Sequence, residues 1–414
     1  MMQNKKEIKT SMETTIRSIC EDIGPRAPCS PEEAKCAEYI QEHLRKYSEK
    51  TKIEKFYCHP DTYKLTIRIP FISILIITII YWLYYILPSF IPLLLCSLVI
   101  FTAFILIQTE LTRNNEVIDR LFKEKRSTNV VGKFMPDKDI KSKQLIIIGG
   151  HHDSQYEFGL LRISPLLFEL MITSSIILNY IMFVLFIIKD IFFLLAIHYL
   201  IFPLIDMIIL IILTCLSPFY VFSLFKITSK NAVLGADDNL SAIAVILELA
   251  KYLKLKKLKQ TEIWLVSHGC EEIGDRGSKR FSKKHKEEIL EKNGYVINID
   301  MIGGKNSELK IDIIEEVILI KLCKELGNEI SKIASDLGIQ HKIGNIEAFS
   351  DSMAYSMNNI KACSVISVPK KGFAAHYHTR RDTIDIIDFN KLFDVCTILC
   401  EFIERVDGNK IHIH

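Results

Sequence analysis

The chain has 414 residues, a formal net charge of +3 and 49% hydrophobic residues. A charge so near neutral, with no basic stripe interleaved with aromatics, argues against a nucleic-acid partner. Eleven cysteines, an odd number with no paired framework, read as reduced thiols in a reducing compartment and not as a disulfide scaffold.

The N-terminal MMQNKKEIKTSMETTIRS is polar and lacks the apolar core of a signal peptide. Residues 12–48 read as helical, broken by Pro25, Pro28 and Pro31, with Ser30 as N-cap of a second helix. Residues 70–108 carry no charge. One helix over that block would span about 58 Å, roughly twice a bilayer's hydrocarbon core, so Pro88 is expected to divide it into crossings at 71–87 and 89–108. The charged stretch 114–125 is expected to be helical. Runs at 129–134, 144–150, 262–268, 295–300 and 362–368 are nearly continuous in apolar and β-branched residues, the signature of strands buried on both faces.

A second apolar block lies at 161–225. One crossing is expected at 165–188, ended by Lys189 and Asp190, and another at 191–213, a stretch that contains His198 and Asp206. An intramembrane carboxylate marks function or simply pairs within the bundle, and the second reading carries the higher prior. Helices are expected at 240–258, 279–293, 317–338 and 389–406. Strands alternating with helices give an α/β three-layer sandwich with a mostly parallel mixed sheet. An inserted transmembrane helical bundle completes the fold class. The soluble domain would comprise 1–69, 109–160 and 226–414, with a transmembrane hairpin at 70–108 and a second membrane block at 161–225. Lys and Arg flank the crossings mainly on the soluble-domain side, which places that domain in the cytoplasm by the positive-inside rule.

Five short motifs carry chemistry. His151-His152-Asp153 follows the run QLIIIGG, so His151 and Asp153 leave an extended strand on one face. Ligand and orienting carboxylate then come together, although a satisfied core histidine is the commoner case. Asp237-Asp238 opens a helix, where capping alone would explain it. Glu271-Glu272 follows a buried strand and precedes a glycine-rich turn. Its adjacent side chains diverge, so one can bind metal and the other can hold a proton. Asp300 ends a strand, and His378 lies in the polar loop His378-Thr379-Arg380-Arg381-Asp382. Singly most of these are weak signals, and only the strand running into Glu271-Glu272 and a glycine-rich turn is more specific. Together they form a set of N and O donors suited to zinc, most of them at the carboxyl ends of predicted strands.

In order, the five motifs resemble those of the co-catalytic zinc aminopeptidases: bacterial leucyl aminopeptidase, aminopeptidase Y and the glutamate carboxypeptidase group. The lead-in GPRAPCSPEEAKCAEYI is similar as well. The resemblance implies two Zn2+ ions, one held by His151, Asp238 and Asp300 and the other by His378, Asp238 and Glu272, with Asp238 bridging. It implies Glu271 as general base, Asp153 as the group orienting His151, and a cis peptide bond after Asp238. Asp351, Tyr355 and Tyr377 become candidates for substrate binding or for donation to a developing oxyanion. Ser352 stands where many relatives have histidine, which leaves side-chain preference open. The expected partners are a peptide substrate and the lipid bilayer. A glutaminyl cyclase-like acyltransferase and a non-catalytic membrane scaffold are the competing readings.

Overall fold

Strand β3 (Gln144–His151) shows how the core is built. Successive side chains on a strand point to opposite faces. Leu145 and Ile147 accordingly join one apolar cluster with Trp264, Phe281 and Val296, while Ile146 and Ile148 join another with Ile243, Ile297 and Val365. Both faces are covered, as the unbroken apolar run requires.

The computed structural model describes residues 5–136, 144–195, 202–315, 320–346, 350–370 and 372–411. The chain divides into two compact units. One comprises Met1–Pro60, Glu124–Glu157 and Asn231–His414, and the other Asp61–Lys123 and Phe158–Lys230.

The first unit contains a nine-stranded mixed sheet. In chain order its strands are β1 (Lys50–Cys58), β2 (Lys125–Phe134), β3, β4 (Thr261–His268), β5 (Tyr295–Asp300), β6 (Glu308–Glu315), β7 (Ile320–Lys321), β8 (Lys342–Ile346) and β9 (Lys361–Val368). Their spatial order is β1-β2-β4-β3-β5-β9-β6-β7, with β8 beside β6. The central four, β4, β3, β5 and β9, run parallel. Helices Lys5–Ser18, Pro31–Arg45, Ser241–Leu255, Lys324–Asp336 and Phe389–Asp407 supply the larger apolar cluster, and Arg276–Glu291 and Asp351–Ser356 contribute to the smaller one. The result is the three-layer α/β sandwich indicated by the sequence. Trp264 is fully buried between sheet and helix, a position where truncation to alanine costs about 3–5 kcal/mol.

Several elements differ from expectation. Residues 114–125 are not a helix: Asn114 and Glu116 take positive φ, only Asp119–Leu121 forms a 3-10 turn, and β2 already begins at Lys125. The helix expected at 317–338 starts at Lys324, because Ile320–Lys321 pairs with β6. Residues 12–48 agree with the reading in being broken before Pro31, and Ser30 caps the second helix by accepting the Glu33 N–H, although the first helix already starts at Lys5. Strands β1, β6 and β8 have no counterpart in the sequence reading.

In the second unit, four helices among the described residues are long and apolar enough to cross a membrane: Ile69–Ile86, Phe90–Leu111, Pro165–Leu194 and Pro203–Lys226. The break at Pro88 falls where it was expected. The third helix, however, continues through Lys189 and Asp190. Lys189 can stay inside because its ammonium lies 2.7 Å from the Asp206 carboxylate, which also accepts the Tyr81 hydroxyl at 2.6 Å. The crossing expected at 191–213 gives way to the helix Phe202–Lys226, which has Pro203 in its first turn, a position that tolerates a missing N–H. His198 lies outside the described residues. Asn179 bonds Ser73 and the Pro70 carbonyl, and Arg68 bonds Thr228 and the Leu224 carbonyl. Ile79, Ile91 and Phe225 point their apolar surfaces outward.

Candidate metal centre

Three parallel strands deliver the first side chains to one edge of the sheet. His151 is the last residue of β3 and is in register with His268, the last residue of β4. Asp300 is the last residue of β5, and Glu271-Glu272 follows β4 after a short turn. Asp238 stands just before the helix Ser241–Leu255, and its peptide bond to Asn239 is cis. Asn239 ties this loop to β5, donating to the Ile299 carbonyl and accepting from Met301 N–H. His378 comes from the loop after β9.

These groups converge around Asp238. One oxygen, Oδ1, lies 3.2 Å from His151 Nε2, and the other, Oδ2, lies 3.0 Å from His378 Nε2. His151 Nε2 is 3.6 Å from Asp300 Oδ1 and 3.7 Å from Glu271 Oε2. His378 Nε2 is 3.0 Å from Glu272 Oε2. Zinc ligands sit about 2.0–2.1 Å from the ion, so neighbouring donors of one tetrahedron lie about 3.3 Å apart. The observed spacings match that edge on both sides of Asp238. Glu272 Oε1 and Asp300 Oδ1 are buried without a hydrogen-bond partner. Such orphaned acceptors are costly unless a cation meets them. The donor set therefore fits the metal pair that the resemblance implies.

The charges tell the same story. Burial, joined by Asp238 nearby, pushes the Glu272 carboxyl up to about 7, and burial with neighbouring acids raises Glu271 and Asp300 as well. Burial alone would lower the two imidazoles. The surrounding carboxylates overcome it, taking His378 up to about 10 and His151 well above its ordinary value. Asp238 goes the other way: the hydrogen bonds from His151 and His378 outweigh its burial and hold it below the usual range. A cluster that retains protons on so many groups has a surplus of negative charge, which cations relieve directly.

A second layer fixes this arrangement. Asp153 lies 3.5 Å from His151 Nδ1, and its two oxygens also accept the N–H groups of Glu271 and Glu272 at 3.1 and 3.2 Å. Gln155 donates to Glu272 Oε2 at 3.1 Å. Asp382 accepts the N–H groups of Asp237 and Asp238 at 2.7 and 3.1 Å. Buried Arg26 reaches the carbonyls of His152, Leu234 and Gly235, and its N–H bonds Ser154, so the loops before Asp238 and after His151 share one clamp. Gly235 sits at φ 60°, where a Cβ would lie 2.3 Å from the Asp238 carbonyl oxygen. No larger residue fits that turn.

The three weaker candidates separate. Tyr355 is buried, and its hydroxyl is 3.1 Å from His268 Nε2, so it serves the core beside the site and is not presented to a substrate. Tyr377 stacks on the His378 ring with centroids 3.7 Å apart. Asp351 is buried at the start of its short helix, and burial raises its carboxyl. Sequence reasoning assigned no role to Arg26, Gln155 or Asp382. Arg26 lies in the quoted lead-in, and Asp382 in the His378 motif, so both were within view.

Residues 222–403 match the model of peptidase family M28. Probable leucine aminopeptidase 1 of Trichophyton verrucosum (strain HKI 0517) is 28% identical over 183 residues, 42% of this chain and 48% of that protein. The chain thus spans about half the length of this curated relative. The aminopeptidase from Aneurinibacillus sp. strain AM-1 has a similar fold, with a TM-score of 0.58 at 16% identity, over 97% of this chain and 95% of that one. A glutaminyl cyclase from Bacteroides thetaiotaomicron, solved with N-acetylhistamine, gives 0.55 at 16% identity, over 95% and 97%. Fold alone does not separate the two activities.

Proposed function

We propose that the chain is a membrane-anchored, zinc-dependent exopeptidase, most consistent with an aminopeptidase that removes N-terminal residues from peptides. The observation that carries this reading is the position of Asp238, whose two oxygens each approach a different imidazole. One carboxylate placed between two donor sets suits a pair of ions rather than one. His151, Asp238 and Asp300 would hold the first zinc, and His378, Asp238 and Glu272 the second.

When bound, zinc supplies Lewis acidity that makes water a better nucleophile and polarises the scissile carbonyl. The chain's own residues do the rest. Glu271, pushed above its ordinary range by burial, accepts the proton of the attacking water and returns it to the leaving amine. Asp153 keeps Glu271 on station through its backbone N–H and holds the His151 ring from the other side. Tyr377, stacked on His378, is the remaining candidate to donate to the carbonyl oxygen. Anchoring rests on the four long apolar helices, and a cytoplasmic site rests on the distribution of Lys and Arg in the sequence.

Glu271→Gln tests the assignment. The expected outcome is retention of bound zinc with kcat reduced about 10²–10⁴-fold, the usual contribution of general base catalysis. Unchanged release of amino acids by this variant would overturn the mechanism. Loss of ammonia from N-terminal glutamine, without amino-acid release from other peptides, would favour the cyclase reading.

A further inference from the structure

Three cysteines distant in sequence bring their sulfurs together in the first unit. Cys29 lies in the lead-in loop, Cys58 ends β1, and Cys270 immediately precedes Glu271. The Cys29 sulfur is 3.4 Å from those of Cys58 and Cys270, and the latter two are 3.7 Å apart. A disulfide requires about 2.05 Å, so these are three separate thiols. Cys58 and Cys270 are fully buried.

The surroundings are organised around the trio. Buried Glu33 accepts the Cys29 N–H at 2.8 Å on one oxygen. Its other oxygen accepts the Cys270 N–H at 2.9 Å and the Ser127 hydroxyl at 2.8 Å, and lies 3.3 Å from the Cys270 sulfur. One carboxylate therefore sets the backbone of two of the three cysteines. Gly269 allows this approach, since a Cβ there would lie 2.6 Å from Ser127 Oγ and 2.8 Å from Glu33 Oε1. Cys29 and Cys270 both adopt positive φ, which L-residues avoid unless the surroundings hold them there. Three thiols that merely filled space would need neither the carboxylate nor these backbone positions. Sulfurs about 2.3 Å from a shared zinc lie about 3.8 Å apart, close to the observed triangle. Thiolates select zinc and monovalent copper over hard cations.

We propose that Cys29, Cys58 and Cys270 form a separate thiolate site for a thiophilic cation, Zn2+ or Cu+, which fastens the lead-in loop and the end of β1 to the turn carrying Glu271 and Glu272. Binding releases the thiol protons to solvent and involves no change of oxidation state. With Zn2+, Glu33 Oε1, 3.3 Å from the Cys270 sulfur, is an oxygen available for a fourth position. The assignment stands on the sulfur geometry and does not depend on the aminopeptidase reading.

The experiment keeps the two sites apart. The full chain in detergent, carrying His151→Ala and His378→Ala to disable the N and O donor set, is loaded with Co2+ and its near-ultraviolet spectrum recorded. The expected result is a sulfur-to-cobalt charge-transfer band that survives in this variant and disappears when Cys58→Ser is added. Elemental analysis of the same proteins, purified without added metal, is expected to lose one equivalent of zinc or copper with Cys58→Ser, and the element found identifies the resident ion. Cys29→Ser, at the half-buried position, repeats the comparison should Cys58→Ser misfold. No band in the folded double variant, metal content unchanged by both serine variants, or a disulfide among the three cysteines in the unreduced protein would each overturn the proposal.

Discussion

Two buried clusters of ionisable groups solve opposite problems. In the apolar helices, Lys189, Asp206 and Tyr81 make a closed set: one cation, one carboxylate and one hydroxyl donor, all within 2.7 Å contacts. At the sheet edge, His151 and His378 face Asp238, Glu271, Glu272 and Asp300, and two carboxylate oxygens have no hydrogen-bond partner. Burial by itself is therefore a poor guide to function. What distinguishes the second cluster is its unmatched negative charge, pointed at two shared positions.

That contrast can be broken from either side. The largest effect is expected from Asp238→Ala, which removes the carboxylate common to both donor sets. In a Cys58→Ser background, where the thiolate site contributes no ion, both zinc equivalents of this cluster should be lost on elemental analysis, and peptide hydrolysis should fall by more than about 10³-fold, as expected when several kcal/mol of transition-state stabilisation are removed. Retention of one tightly bound equivalent would show that the ions are held independently. On the other side, Lys189→Met strands Asp206 and should destabilise the protein by about 3–5 kcal/mol. The double variant Lys189→Met/Asp206→Leu should recover most of that loss, read from denaturant unfolding in a mild detergent. Two single effects that simply add would mean the pair is not self-contained.

A smaller effect is expected from Asp382→Asn, which turns an acceptor of two backbone N–H groups into a partial donor. Zinc affinity in a chelator competition should drop about 10–100-fold, the usual cost of removing an outer-layer partner, with little change in the unfolding midpoint of the metal-free protein. The smallest concerns Glu54 on β1, buried against His285 and Lys284 at 3.0 and 2.8 Å. Burial opposes its ionisation, but these partners outweigh it and hold its carboxyl down at about 2. Because the folded value lies below the unfolded one, the contribution is complete above about pH 4.5 and disappears as pH falls toward 2. Glu54→Gln should thus cost roughly 1–3 kcal/mol at neutral pH and nothing near pH 2. A difference that does not depend on pH would point to packing instead of charge.

The sequence disclosed the central strands and the donors because both are written locally. Continuous runs such as QLIIIGG and YVINID are short, rich in β-branched residues and bounded by turn signals, which favours strands sheathed on both faces, and the candidate site residues stand at their ends. Strand β1 escaped because it lies at the sheet edge: its residues alternate between exposed and buried, and KTKIEKFYC reads as a charged segment. The third apolar helix was cut short at Lys189 since nothing local announces that Asp206 will neutralise it. The same limit hid the second layer. Asp382, Gln155 and Arg26 act through backbone groups far away in the chain, and only the folded loops reveal those partners.

The clamp made by Arg26 bears on how this protein can be divided. The stretch matching family M28, residues 222–403, includes Asp238, Glu272, Asp300 and His378 but neither His151 nor the guanidinium that pins the loops beside it. A recombinant fragment cut to that stretch would keep four of the five candidate metal donors but lose His151 and the clamp that sets the loops beside it. Any shortened version has to keep the N-terminal segment, whose helix Lys5–Ser18 packs in the core and whose Arg26 pins the loops.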